Sequence, residues 1–298
     1  MTRMSLCKFI LISLVIAMLS TSCSSEDASA PSFSKQERVV VEEEAKDEGL
    51  PNINLDNWKV TLPIGNPTEV EPPDIEDYST NPVLMKYMYN SLEDTSLVFY
   101  TEPGSSTANS KYSRTELREQ MEPGSNSVNW TFEEGGKMKG KLRVARVSGV
   151  TGDHDRIIVM QIHGRLTNEQ RDLIGEDDHN APPVLKIYWD DGIIDVRRKI
   201  LKNVDVSAED ILRTSSWKDE SRLFQSKVGF EPFNLEIIAS DSVLKITLNN
   251  GEEEIAFDDI HTQKWRVFEN YFKAGNYLQT SESGTFSEVR FYELEVSH

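Results

Sequence analysis

Arg156-Ile157-Ile158-Val159-Met160-Gln161-Ile162-His163-Gly164 is the stretch that decides the fold. Read with the two-residue period of a strand, Ile158, Met160 and Ile162 form one apolar face. Ile157 and Val159 begin the other, which then changes to Gln161 and His163. A strand apolar on both faces belongs in the middle of a sheet. The Gln–His pair therefore lines a cleft, although a hydrogen-bonded buried histidine accounts for it equally well when the strand is taken alone.

Outward from this strand, short runs of strand character occur at 97–101, 113–121, 128–132, 137–147, 184–189, 193–199, 233–239, 243–248, 270–279 and 287–296. Clusters of Gly, Asn, Asp or Pro separate them. Many short alternating runs at such spacing predict an all-β chain, a β-sandwich or jelly roll. Helical signal is sparse: short helices are expected at 167–173 and at 207–212, the second capped by Ser207. Residues 63–82 and 202–227 read as loops, and there is no internal repeat.

Two of the flanking runs carry unusual polar faces. In Ser113-Arg114-Thr115-Glu116-Leu117-Arg118-Glu119-Gln120, one face holds Arg114, Glu116, Arg118 and Gln120. An ordinary solvated face accounts for that strand by itself. In Tyr271-Phe272-Lys273-Ala274-Gly275-Asn276-Tyr277-Leu278-Gln279, one face gathers Tyr271, Lys273, Gly275, Tyr277 and Gln279. Gly275 there reads as a gap through which a ligand approaches the backbone. That stripe alone fits a sugar platform as well as a catalytic site.

The remaining chain narrows the chemistry. Asp and Glu number 50 against 32 Lys and Arg, a net charge of −18, which argues against a nucleic-acid partner. It leaves room for a polyanionic substrate in a locally basic cleft. Only 2 cysteines occur, excluding a disulfide scaffold and a cysteine zinc site. Arg3 and Lys8 precede an apolar run at 9–19 that is too short to span a bilayer, so residues 1–22 read as a secretory signal. Ser20-Thr21-Ser22 before Cys23 resembles a bacterial lipobox, in which Cys23 is lipidated. Residues 23–51 are then an acidic tether and 52–298 the folded domain. The expectation is an exported monomer, held at the outer membrane or cell surface by a lipid anchor alone.

Taken together the three faces offer arginines, a lysine, glutamines, a histidine and tyrosines, a set suited to an anionic sugar. No pair of acids at glycosidase spacing stands out, and Glu-x-Asp-x-x-Glu is absent. The acids cluster in expected loops, at Asp177-Asp178 and Glu252-Glu253-Glu254. Asp177-Asp178-His179 is a weak metal signal, and neither a phosphate loop nor a nucleophile elbow occurs.

These segments resemble the motifs of alginate lyases of polysaccharide lyase family 7. Arg114-Thr115-Glu116-Leu117-Arg118 is similar to the family's R-[S/T]-E-L-R, and Gln161-Ile162-His163 to its Q-[I/V]-H. The 271–279 stretch is similar to Y-F-K-A-G-x-Y-x-Q, with Leu278 where Asn is common. Trp58-Lys59-Val60-Thr61-Leu62-Pro63-Ile64-Gly65 resembles the opening strand, so the likeness spans roughly residues 52–298. It implies a jelly roll whose concave sheet binds alginate, with β-elimination as the reaction and no cofactor or metal. Arg114 and Gln161, with His163 close by, are implied to hold the uronate carboxylate. Tyr277 is implied as proton donor to the leaving oxygen. His163 is the implied base for guluronate, and Tyr277 both base and acid for mannuronate. Tyr271, Arg118, Lys273 and Gln279 are implied to bind sugar, and Glu116 to orient the arginines. Ile162 in the Q-x-H motif implies preference for guluronate-containing segments. The competing reading is a non-catalytic alginate-binding module, which would need neither His163 nor Tyr277.

Overall fold

Along Gly136–Val147, Met138, Leu142 and Val144 are buried while Lys137, Lys139, Lys141 and Arg143 alternate with them toward solvent. This period-two pattern recurs, and it builds two antiparallel sheets whose apolar faces meet. The computed structural model describes residues 51–106, 110–149 and 155–298. The expected signal, Cys23 and the expected tether up to residue 50 lie outside the described residues.

One sheet has nine strands. Its order runs Trp217–Lys227, Ile193–Leu201, Asn180–Asp190, Ile157–Arg165, Glu269–Leu278, Arg114–Glu119, Trp58–Leu62 and Thr68–Val70, with Trp130–Thr131 paired to the side of Glu269–Leu278. The second, of eight strands, runs Glu253–Phe257, Val243–Leu248, Phe233–Ser240, Gly136–Val147, Ser287–Ser297, Leu97–Thr101 and Met88–Asn90. Asn52–Ile53 joins it beside Ser287–Ser297. The all-β jelly-roll expectation holds, and Ile157–Arg165 lies in mid-sheet as its two apolar faces require. Trp58, Phe99, Trp130, Phe132, Phe272 and Phe291 fill the space between the sheets. Among the described residues, no helix is long and apolar enough to cross a membrane.

Three expectations need correction. Residues 63–82 are not loop throughout, since Thr68–Val70 is an edge strand paired with Trp58–Leu62. Residues 202–227 are not a long loop: after two single 3-10 turns, Trp217–Lys227 is an edge strand paired with Ile193–Leu201. Its side chains are largely charged and exposed, the usual protection of a sheet edge, so apolar alternation is missing. Glu253 and Glu254 likewise belong to an edge strand, Glu253–Phe257, and not to a loop. The first expected helix forms as Asn168–Ile174, fixed by a Thr167–Gln170 capping box and ended by Gly175 in the left-handed region. At the second, the Ser207 hydroxyl accepts from Asp210 N at 3.0 Å, but only the turn Asp210–Leu212 follows.

Candidate active site

Strand register builds the site. Lys59 pairs with Arg118, Arg118 with Lys273, Lys273 with Gln161, and Gln161 with Lys186, so one row of polar side chains crosses five strands. Next to it, Tyr271 pairs with His163, and Glu116 lies opposite Gly275. These side chains all leave the same sheet face, because residues paired across a ladder share a face. On that face lies a groove of about 750 Å³, lined among others by Lys59, Arg114, Arg118, His163, Tyr271 and Lys273. The chain is acidic, yet the groove is rich in cations.

Glu116 is its hub. The carboxylate is 1% exposed and accepts from Gln161 Nε2 on one oxygen and Lys273 Nζ on the other. Arg114 Nη1 stands 3.4 Å from the second oxygen. A buried carboxylate persists only when charge and hydrogen bonds compensate it, and here a lysine, an arginine and an amide do so. Burial draws the Lys273 ammonium down to about 8, with Glu116 opposing and Arg114 adding to the fall. Glu116 thus contacts Arg114, Lys273 and Gln161 together. It does not touch Arg118. That guanidinium donates to Glu119 O at 2.8 Å, Asn126 O at 3.1 Å and Asn129 Oδ1 at 2.9 Å, which pins the turn after its strand. It also covers the Tyr271 ring at 4.1 Å, and Tyr271 in turn stacks on His163 at 5.4 Å.

His163 is held neutral. Its Nδ1 lies 2.9 Å from the Gly164 carbonyl, which can only accept, so the proton sits on Nδ1 and Nε2 keeps its lone pair. Burial first, then the Lys273, Lys186 and Arg114 charges, push the imidazole down to about 3, against the Gly164 hydrogen bond. The ring is neutral throughout the physiological range. Gln161 Oε1 is buried without a hydrogen-bond partner.

Tyr277 stands beside the groove and is not on its lining. Its ring lies under Arg114 at 4.4 Å and packs with Ile158 and Tyr188, and its hydroxyl is 2.8 Å from Ser110 Oγ. Two details differ from the sequence reading. Ile158 shares the face of Gln161 and Tyr277, because a bulge at Val159 flips the alternation. Gly275 leaves no gap for a ligand: a Cβ there would stand 2.7 Å from Thr115 O, and its φ is +139°. Glycine is needed for close approach of the neighbouring strand. Gln279 follows the end of the Glu269–Leu278 strand, donates Nε2 to Tyr277 O at 3.1 Å, and does not line the groove.

The groove also uses residues that sequence reasoning missed. Arg165, two positions after His163, was available to the same alternation and lines the groove, paired with Glu269 at 2.6 Å. Lys59 sits on the opening strand and pairs with Glu69 at 2.6 Å. Asp178 and His179, noted in the sequence only as a weak metal signal, line the groove too, and His179 Nδ1 meets Leu166 O at 2.8 Å. No group of three metal-ligating side chains forms among the described residues.

A jelly roll carrying a cationic groove with a neutral histidine across one sheet has the character of a protein that handles acidic polysaccharide. Residues 53–298 match the family model described as alginate lyase. Alginate lyase A1-II′, solved as a variant with a substrate written GGMG, is 30% identical with a TM-score of 0.65, covering 83% of this chain and 94% of that one. Another variant, with the product GGG, is also 30% identical, over 83% and 97% of the two chains, at 0.65. An alginate lyase from Pseudomonas aeruginosa, 22% identical over 83% and 100% at a TM-score of 0.60, shares the fold. No curated protein matches the chain. The chain belongs to the alginate lyases of polysaccharide lyase family 7. It is a polysaccharide lyase, and alginate is its substrate.

Proposed function

We propose that the chain cleaves alginate by β-elimination and favours guluronate-containing segments. The observation that carries this reading is the neutral His163, with a bare Nε2, on the same sheet face as the Arg114–Tyr277 stack. Register sets His163 two residues beyond Gln161, and Tyr277 opposite Ile158, three residues before it. A base and an acid thus flank Gln161 from opposite ends.

The C5 proton of a uronate is weakly acidic while its carboxylate is ionised. Neutralising that carboxylate is the main electrostatic task, because developing charge spreads onto it. Arg114, with Gln161, does this. His163 Nε2 takes the C5 proton, and the Tyr277 hydroxyl gives its proton to the departing O4, leaving an unsaturated sugar. This pairing suits guluronate, whose proton and leaving group lie on opposite faces. On mannuronate they share a face, and Tyr277 serves both steps. The guluronate preference rests on Ile162. It is buried beneath the site, so its extra methylene acts by shifting the sheet under Gln161 and His163. A methylene in a core is worth ~0.5–1.5 kcal/mol, enough to bias the choice. The bound GGMG and GGG of the 30% identical relative are compatible with this preference.

The test is absorbance of the unsaturated uronate on mixing protein with purified homopolymeric blocks. Initial rates should be faster on polyguluronate than on polymannuronate. Reducing ends released without that absorbance would overturn elimination, and faster cleavage of polymannuronate would overturn the preference.

We also propose that Cys23 carries a lipid anchor that holds the exported enzyme at the outer membrane or cell surface, on the lipobox-like Ser20-Thr21-Ser22-Cys23. Cys23→Ala should move the full chain from the membrane fraction to the soluble one with lyase activity intact. Unchanged membrane association would refute the anchor.

A further inference from the structure

We propose that Ser110 is a positioning residue for Tyr277, its hydroxyl turning to serve the phenol in one protonation state and the phenolate in the other. The inference rests on the reading of Tyr277 as the proton-transfer group, and it adds a residue outside every motif that carries the family likeness.

Ser110 is 6% exposed, and among the described residues its Oγ meets Tyr277 Oη at 2.8 Å and the Tyr112 carbonyl at 3.1 Å. A carbonyl can only accept, so the single serine proton points to Tyr112 O. The phenol must then be the donor across the 2.8 Å contact, and its proton rests on Ser110 Oγ. In the resting enzyme Tyr277 is therefore held as a neutral phenol of fixed orientation, its ring pressed under Arg114.

When Tyr277 gives its proton to the leaving O4, the phenolate oxygen needs a donor. Ser110 can supply one by rotating its hydroxyl from Tyr112 O to Tyr277 O. That exchanges a neutral hydrogen bond for a charge-assisted one, the stronger kind. Arg114 over the ring favours the same state. The cycle closes without a co-reactant. On guluronate, the C5 proton goes to His163 Nε2, the Tyr277 proton goes to O4, and exchange with water resets both. On mannuronate, Tyr277 first loses its proton to water, and the phenolate, now held by the turned Ser110 hydroxyl, takes the C5 proton and passes it to O4. Ser110 does not line the groove, so its contribution falls on the chemical step and not on sugar binding.

Ser110→Ala should lower kcat about 10–100-fold, the range expected for losing a hydrogen bond to a charged group, with KM nearly unchanged. The loss should be larger on polymannuronate, where the phenolate is the base, and the pH profile on that substrate should change. Ser110→Thr keeps the hydroxyl and should restore most of the rate. Equal losses in Ser110→Ala and Ser110→Thr with an unchanged pH profile would overturn the proposal, since a packing role alone predicts that result. A second measurement separates this proposal from the assignment of Tyr277. The ultraviolet absorption band of the Tyr277 phenol, taken as the difference between parent and Tyr277→Phe, reports its hydrogen bond to Ser110 and should move in Ser110→Ala whether or not Tyr277 is catalytic. No movement refutes the hydroxyl contact. Near-normal turnover in Tyr277→Phe refutes instead the role of Tyr277.

Discussion

Tyr277→Phe should lower kcat on alginate by about 10²–10⁴-fold, the usual worth of one proton-transfer group. The change removes a hydroxyl and little else. The ring keeps its place under Arg114 and against Ile158 and Tyr188. The cations of the groove are untouched, so alginate should bind with nearly its original affinity. Stability should change little, because Ser110 Oγ retains its bond to Tyr112 O. Steady-state kinetics with a binding isotherm on the same preparation make the check. A variant that turns over at the parent rate would remove Tyr277 from the chemistry.

Glu116→Ala should cost the most stability of any single change in the site, ~3–5 kcal/mol, the range for breaking a buried pair by deleting one partner. It leaves the Lys273 ammonium, which is 5% exposed, without its carboxylate and frees Gln161 and Arg114 to wander. The loss should depend on pH. Lys273 already titrates near 8 with Glu116 present, far below its ordinary 10.5, and without Glu116 it titrates lower still. A lysine with a depressed folded pKa binds fewer protons folded than unfolded, so stability rises with pH across that window. The window opens earlier in the variant. Its deficit against the parent should be full below the new Lys273 pKa and shrink toward pH 8. Urea unfolding at pH 6 and pH 8 measures this, and a deficit that does not narrow would mean Lys273 stays charged. Glu116→Gln, nearly the same shape, should lose less packing but still release Lys273.

How much of this was legible in the sequence depended on where each strand sits. Central strands such as Ile157–Arg165 are sandwiched on both sides, so their burial is written in apolar residues. The four strands that end the two sheets, Trp217–Lys227, Thr68–Val70, Glu253–Phe257 and Met88–Asn90, all escaped notice. An edge strand needs few apolar contacts and is protected by charge, which erases the alternation that reveals it. In the site, Arg114, Glu116, Gln161, His163 and Lys273 were visible because period two places them on one face. Ile158 and Gly275 misled because bulges and close strand approaches are tertiary events. Ser110 had no signal of its own, since its contact with Tyr277 joins positions 167 residues apart.

The acidic residues set among the groove's cations have a consequence for how a charged polymer is received. Lys59 is matched by Glu69, Arg165 by Glu269, and Lys273 and Arg114 by Glu116. These carboxylates act as tethered counterions that never diffuse away. An arriving polyuronate exchanges its own carboxylates for resident ones, and few dissolved ions are set free. The steepness with which binding weakens as salt is added counts freed ions, so it should under-report the cations that touch the polymer. A chain held by exchange can also be let go by exchange, as each resident acid reclaims its cation while the shortened product leaves.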